Sequence, residues 1–498
     1  MVQDIAYSML LRGQRQALHS RIGGILEGHF PDLVATQPQI LAHHFTQAGL
    51  RDKAILYWWR AGQQSAAKWA LVEGIGQLKR GLQLIDSLPS TPERKAQELE
   101  LQVALAYALR LTRGYAHPEV PEVLSRARSL ILETGLAATP PHFTVLFGLW
   151  SAHYTAGKAA IALERAEEFF AVAQSHTDAG LSCIGHRLLG ATRFMMGDFP
   201  RALSNLERAA ALYKPDEHCR LALQFGQDIG ASAFSSLSLA LWHAGYPDRG
   251  SHAATEALRH ARQSSHVHTL AYALIYTGIT AASERCVALT EERTEEALAL
   301  AEEHGFAQWA AYGKMLKGWA LAQRGQGSSA IEQIREGLAA TRQTGARIWE
   351  PFFLGLLTEA FALAGRIDEG LKIVSEASET VASGEKMNDA ELHRLRGELI
   401  RRSALSDRES DASLQLALAT ARKQGSRGYE LRAAMSLARL WGEQGRRAKA
   451  HELLAPVYGW FTEGFDTADL KRQKVCCTSS AEPPGCADAL AAENARII

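Results

Sequence analysis

The sequence predicts an all-α protein, a solenoid of helical hairpins with a period of about 40 residues, and three observations carry that expectation. The composition is rich in Ala, Leu, Glu and Arg and holds only 15 prolines in 498 residues, which favours helix over strand. Apolar residues also recur at helical spacing between glycine turns. In residues 188–210 (LLGATRFMMGDFPRALSNLERAA) they run to Met196, stop at Gly197 and Asp198, and resume from Phe199 with Ala202, Leu206 and Ala209 on one face. Finally, such glycines stand at Gly157, Gly197, Gly245, Gly325, Gly365 and Gly445, separated by 40, 48, 80, 40 and 80 residues. Each gap of 80 predicts a degenerate copy midway, near Arg285 and near Ala404.

The elements follow in order. Residues 1–30 form an amphipathic segment with Leu10, Leu11, Leu18, Ile22, Ile25 and Leu26 at helical intervals. Pro31 and Pro38 bracket a loop, after which Ala42, Phe45, Gly49, Ala54, Trp58 and Ala61 set out a hairpin. Residues 62–88 supply a further helical pair, ended by the breaker LPSTP at 88–92. Residues 93–111 predict a long helix with Leu99, Val103 and Ala106 near one face; Pro118 opens another through Leu132, and Pro140 with Pro141 marks the next joint. Beyond it a second helix follows each turn, on Ala162 and Ala166, Ala202 and Ala209, Gly250 and Ala257, Thr290 and Ala297, Ala330 and Gly337, Gly370 and Ala377, and Ala450 and Val457. After Leu470 the pattern fades, and Pro483, Pro484 and Gly485 predict a disordered tail.

The 54 basic and 54 acidic side chains cancel, so no global field draws the chain to nucleic acid or anionic lipid. Six cysteines, three scattered (Cys183, Cys219, Cys286) and three in the tail (Cys476, Cys477, Cys486), fit a reducing compartment better than a disulfide framework. Residues 1–30 lack the order of a signal peptide, and residues 231–245 are too short and serine-broken to span a bilayer. The expectation is a cytoplasmic protein without membrane contact.

Catalytic patterns fail one by one. The string from Gly245 to Ser251 resembles a phosphate loop but lacks its lysine and falls in a helix turn. No HExxH motif occurs, and His43 and His44, being adjacent, point about 100° apart on a helix. His266 and His268 border a helix start without a recognisable partner, and adjacent tail cysteines are poor tetrahedral ligands. Glu291, Glu292, Glu295, Glu296, Glu302 and Glu303 form a solvated face. A GxSxG elbow and an aromatic-basic stripe are both missing. The sequence therefore predicts no enzyme, cofactor or metal.

The hairpins resemble tetratricopeptide repeats. With Gly190 at position 8 of that 34-residue repeat, Gly197, Phe199, Ala202, Leu206 and Ala209 fall where it wants glycine, aromatic, alanine, large apolar and alanine. The resemblance implies a right-handed superhelix whose first helices line a concave groove. Its inward positions here include Arg187, Phe194, Trp242, Tyr312, Trp319, Phe352, Glu359 and Arg439. Large aromatics beside occasional charges suit capture of a protein partner, helix or peptide. The lysine–asparagine clamp of chaperone-binding repeats is absent, since the matching pairs are Arg187/Ala191, Ser235/Leu239, Met315/Trp319, Gly355/Glu359 and Met435/Arg439.

Longer strings carry a second resemblance. LLRGQRQALHSRIGGILE, LAHHFTQAGLRDKAILYWWRAGQQSA, ARIWEPFFLGLLTEAFALAGRIDEGL and ELRAAMSLARLWGEQGRRAKAHELL are similar to the C-terminal repeat region of bacterial class III adenylate/guanylate cyclase–AAA ATPase signalling proteins, over roughly residues 5–471. The nucleotide-binding loop and cyclase aspartates of that family have no matching positions here, so the resemblance implies regulation without catalysis. It implies four regions: 1–30, a helical remnant like the end of an ATPase module; 31–140, N-terminal helical repeats; 141–470, the tetratricopeptide-like array; and 471–498, the tail. The functional expectation is a non-catalytic interaction module of a bacterial cyclase/ATPase-type system. The alternatives are the regulatory region of a transcriptional regulator, without direct DNA contact, or a truncated cyclase-family gene product without independent activity.

Overall fold

A computed structural model describes residues 11–381, 384–403 and 406–472. Leu10, the expected degenerate turn at Ala404 and the tail cysteines lie outside the described residues. Every regular element among the described residues is a helix, and consecutive helices pack as hairpins. The chain is an all-α array of tetratricopeptide-like hairpins. It divides into two compact units, Met1–Leu149 and Trp150–Ile498.

In the first unit α1 (Arg12–His29), α2 (Pro31–Thr36), α3 (Pro38–Ala48), α4 (Arg51–Ala67), α5 (Leu71–Asp86), α6 (Pro92–Arg113) and α7 (Glu119–Thr134) follow one another. Residues 31–36 are a helix rather than the expected loop, because Pro31 fits a first helical position where its missing N–H is not needed. Residues 62–88 hold the end of α4 and one further helix rather than a pair; the break is Trp69, at φ 60°. Leu41, Ala42, Phe45, Ala54, Tyr57, Trp58 and Ala61 form a core, and the Trp58 indole donates to Thr46 Oγ1 at 3.0 Å.

Helix α8 (Pro140–Thr155) is followed in the second unit by α9 (Ala159–Gln174), α10 (Ala179–Met195), α11 (Phe199–Leu212), α12 (Pro215–His218), α13 (Leu221–Phe225), α14 (Ile229–Ala244), α15 (Pro247–Gln263), α16 (Val267–Ser283) and α17 (Val287–His304). Then come α18 (Ala307–Gln323), α19 (Gly327–Gln343), α20 (Glu350–Leu363), α21 (Ile367–Val381), α22 (Asp389–Ser403), α23 (Asp407–Gln424), α24 (Arg427–Glu443) and α25 (Arg447–Gly459). The six turn glycines all adopt positive φ, from 74° to 89°, which explains their type. The spacing of 48 comes from the insertion of α12 and α13 between two hairpins. At the expected degenerate copy, the turn between α16 and α17 is made by Arg285 itself, at φ 63°. A left-handed conformation costs a side-chain-bearing residue roughly 1–2 kcal/mol, so Arg285 needs compensation from its side chain.

Two kinds of helix alternate. Helices α10, α14, α16, α18, α20, α22 and α24 are buried on nearly every face. Their partners bury one stripe, as α11 does with Phe199, Ala202, Leu206 and Ala209. Among the described residues no helix is long and apolar enough to cross a membrane.

Candidate functional site

The inner helices of the second unit are buried because residues far apart in sequence close over them. The carbonyl of Thr155, at the end of α8, accepts from the backbone N–H of Arg347 and Ile348 at 2.8 and 3.0 Å. The Met195 carbonyl, ending α10, accepts from the Lys386 N–H at 2.8 Å. His243 in α14 shares a 2.9 Å hydrogen bond with Ser426, 183 residues away, and Arg432 donates to the Ser283 carbonyl, 149 residues away. Three of these contacts use a carbonyl at a helix end, where backbone groups lack intrahelical partners, and all four reach a later repeat.

Seven of the eight sequence-selected residues, all but Arg439, are consequently buried. They face inward, but the surface they build is interior rather than an open groove. Phe194 packs on Phe199, His243 and Trp349, with ring centroids 5.2, 5.1 and 6.1 Å apart. Trp242 lies against Tyr429 at 5.3 Å. Tyr312 donates its hydroxyl to the Ile348 carbonyl at 2.9 Å, and Phe352 stacks edge-on to Trp349 at 5.7 Å. Arg439 is half-buried and meets Glu398 at 3.1 Å.

Glu359 and Trp319 belong to a buried ionic network. Arg285 donates to both carboxylate oxygens of Glu359 at 2.5 Å, and the Trp319 indole donates to Glu359 Oε2 at 3.1 Å. Glu391 receives two bonds from Arg394, each 2.8 Å, and lies 3.5 Å from Arg285 and 3.6 Å from Arg432. Arg432 closes the set on Asp469 at 2.7 Å and sits over the Trp242 ring at 4.9 Å. Arg285, Arg394 and Arg432 thus balance Glu359, Glu391 and Asp469, the condition for burying charge without a large penalty. Burial works against ionising Glu391, but Arg394, Arg432 and Arg285 hold its carboxyl at about 2. Against the same burial, Arg439, Arg401 and Arg394 hold Glu398 at about 2. Arg285, Glu359, Glu391 and Arg432 line, with Phe352 and Tyr429, a pocket of about 20 Å³, room for one water.

A second cluster surrounds Arg187, which is 3% exposed. It stacks over Trp150, 4.9 Å from the ring centre, and Nη2 donates to the Tyr272 hydroxyl at 3.1 Å. Nε and Nη1 are buried without a hydrogen-bond partner. Tyr272 stacks on Tyr276 at 4.2 Å, and the Trp349 indole donates to the Tyr276 hydroxyl at 3.3 Å. Removing a guanidinium from water without a counter-charge costs several kcal/mol. Stacking on an indole offsets about 2 kcal/mol, and one charge-assisted hydrogen bond about 1.5–3. Arg187 is therefore tolerated but left short of acceptors.

Sequence reasoning passed over Arg285, Glu391, Arg394 and Arg432, and Tyr272, Tyr276 and Trp349. For Arg285 a signal existed, the glycine missing from the turn. Among the described residues no group of three or more His, Cys, Asp and Glu side chains could hold a metal ion. His43 and His44 instead form a ring cluster with His19, and His266 caps α16 by accepting the Thr269 N–H at 3.3 Å.

No family model matches the chain. An uncharacterized protein of Rhizobium meliloti (strain 1021) is 23% identical over 445 residues, 88% of this chain and 43% of the relative. The chain thus spans less than half the length of that relative. Among solved structures, a Rap protein complexed with competence and sporulation factor is similar at TM-score 0.45 and 13% identity, over 70% of this chain and 98% of its own. The apo form of the quorum sensor NprR from B. thuringiensis gives 0.42 and 12%, over 74% and 99%. The Cut9–Hcn1 hetero-tetramer of the APC/C gives 0.40 and 12%, over 82% and 76%.

Proposed function

We propose that this chain is a non-catalytic interaction and regulatory module whose closed interior opens to take a protein segment or peptide. The observation that supports it most is the way the second unit is shut. Repeats 149 or more residues apart meet through a few polar contacts beside small aromatic contacts such as Trp242 with Tyr429. Hydrogen bonds of this kind contribute about 1 kcal/mol each and exchange readily for bonds to a partner. Behind them lie the large aromatics and paired charges that make strong anchors once exposed. Service to a nucleotide-cyclase or ATPase signalling system is the finer part of this reading. It rests on the sequence strings alone.

The test is affinity capture on the purified chain, followed by reconstitution with the captured component. Binding should raise backbone hydrogen exchange at Arg347, Ile348 and Lys386, whose N–H groups close the interior. Assays for cyclic nucleotide formation and ATP hydrolysis should stay at background. Turnover of either nucleotide, or a folded chain that retains neither protein, peptide nor small molecule, would overturn the proposal.

A further inference from the structure

Arg187 is on the wrong side of the usual rule for buried charge. Its guanidinium is buried, yet it touches no carboxylate. Its contacts are the faces of Trp150 and Tyr272 and the Tyr272 hydroxyl, and Nε and Nη1 have no acceptor. The buried arginines of the ionic network, by contrast, are matched by acidic groups at 2.5–2.8 Å. A second observation points to the same place. Trp349, joined to this cluster through Tyr276, adopts φ 69°, and strain of this kind in a bulky residue persists only where the surroundings impose it. Trp349 directly follows Arg347 and Ile348, whose N–H groups hold the Thr155 carbonyl, five residues beyond Trp150 on the same helix. The edge of the Arg187 cluster and the closing contact are therefore the same stretch of chain.

We propose that Arg187 is the receptor for a carboxylate carried on an apolar or aromatic body, which enters when the contact between Thr155 and residues 347–348 parts. The carboxylate accepts from the unpartnered N–H groups, and Trp150, Tyr272, Tyr276 and Trp349 enclose the body behind it. The inference rests on the proposed function, since it names what the interior of the second unit binds. A free organic acid and a peptide C-terminus offer the same chemistry.

The experiment titrates the full chain with N-acetylphenylalanine, with the tripeptide Ala-Ala-Phe, and with the C-terminal amide of each, following tryptophan fluorescence and thermal midpoint. At least one acid should bind tenfold or more tighter than its amide and raise the midpoint. A tighter tripeptide acid assigns a peptide terminus, and a tighter N-acetylphenylalanine assigns a small acid. Arg187→Met should abolish the acid–amide difference while raising the midpoint of the unliganded protein, because an apolar side chain relieves the unmatched charge. Arg187→Lys should keep part of the difference. The proposal is overturned if wild-type protein binds acid and amide alike or binds neither at millimolar concentration, or if Arg187→Met preserves the discrimination. If it fails while a captured partner is still retained, only the role of Arg187 falls; loss of both removes the proposed function as well.

Discussion

Glu391 gives the sharpest quantitative test of the ionic network. Its carboxyl is held at about 2 instead of the ordinary 4.5, against the effect of burial, by Arg394, Arg432 and Arg285. That gap corresponds to about 3 kcal/mol of preferential stabilisation of the charged form in the folded state. The sign follows from the depressed value. Above pH 4.5 the group is ionised in both states and the whole contribution is present; it declines as pH falls toward 2. Glu391→Gln removes the charge but keeps the volume, leaving Arg285, Arg394 and Arg432 without their shared central carboxylate. Breaking one member of a buried charge set costs about 3–5 kcal/mol, so the variant should lose about that much at pH 7. Near pH 2 wild type has forfeited the same contribution, and the difference should shrink below about 1 kcal/mol. Urea titrations followed by far-ultraviolet circular dichroism at a series of pH values measure both. A variant within about 0.5 kcal/mol of wild type at pH 7, or a deficit that does not change with pH, would refute the reasoning.

Other substitutions probe the remaining links. Gly245→Ala places a methyl 2.3 Å from Trp460 and 2.8 Å from Arg427 at φ 89°, whereas Gly365→Ala, at φ 74°, meets nothing. The second should cost about 1 kcal/mol and the first at least about twice that, with denaturant midpoints supplying the comparison. Trp319→Phe removes the indole that donates to Glu359 and leaves a small void. A loss of about 2–3 kcal/mol is expected, and protein as stable as wild type would argue against a structural role for that bond. Arg285→Gly relieves a left-handed residue by about 1 kcal/mol but strips Glu359 of its main cation, so the net effect should be destabilising by about 2–4 kcal/mol in the same titration.

What could be read from the sequence follows from range. Turn glycines and the small residues of the second helices, such as Ala162, Ala202 and Ala297, obey constraints set within one hairpin, so their spacing shows in the chain. Helices α12 and α13, of four and five residues, are shorter than any window in which a period of 3.6 can register, and they surfaced only as an unexplained spacing of 48. The inward position of Phe194, Trp242, Tyr312 and Trp319 followed from the repeat. Their burial did not, because it depends on contacts such as His243 with Ser426, 183 residues away. The partners of Glu359 were equally hidden: Arg285 lies 74 residues before it, and Trp319 40 residues before it.

Two of the strained residues in the second unit, Arg285 and Trp349, tie closure to the buried acids. Most turns of the second unit use glycine to reach positive φ, yet Arg285 and Trp349 do so with full side chains, at 63° and 69°. Each is held by a buried carboxyl group. The Arg285 guanidinium grips Glu359, and the Trp349 N–H donates to both oxygens of Glu385 at 3.1 and 3.2 Å. Burial, with Glu350 close by, pushes Glu385 well above the usual carboxylate range even though it accepts from Trp349. Glu359 instead meets a full positive charge. One strained turn is therefore clamped by a two-pronged ion pair, and the other by a backbone N–H bonded to an acid whose charged form burial disfavours. A bond with charge on both donor and acceptor is the stronger kind. If the interior opens, it parts first at Trp349, beside Thr155 and the Arg187 cluster, while the Arg285 network stays shut.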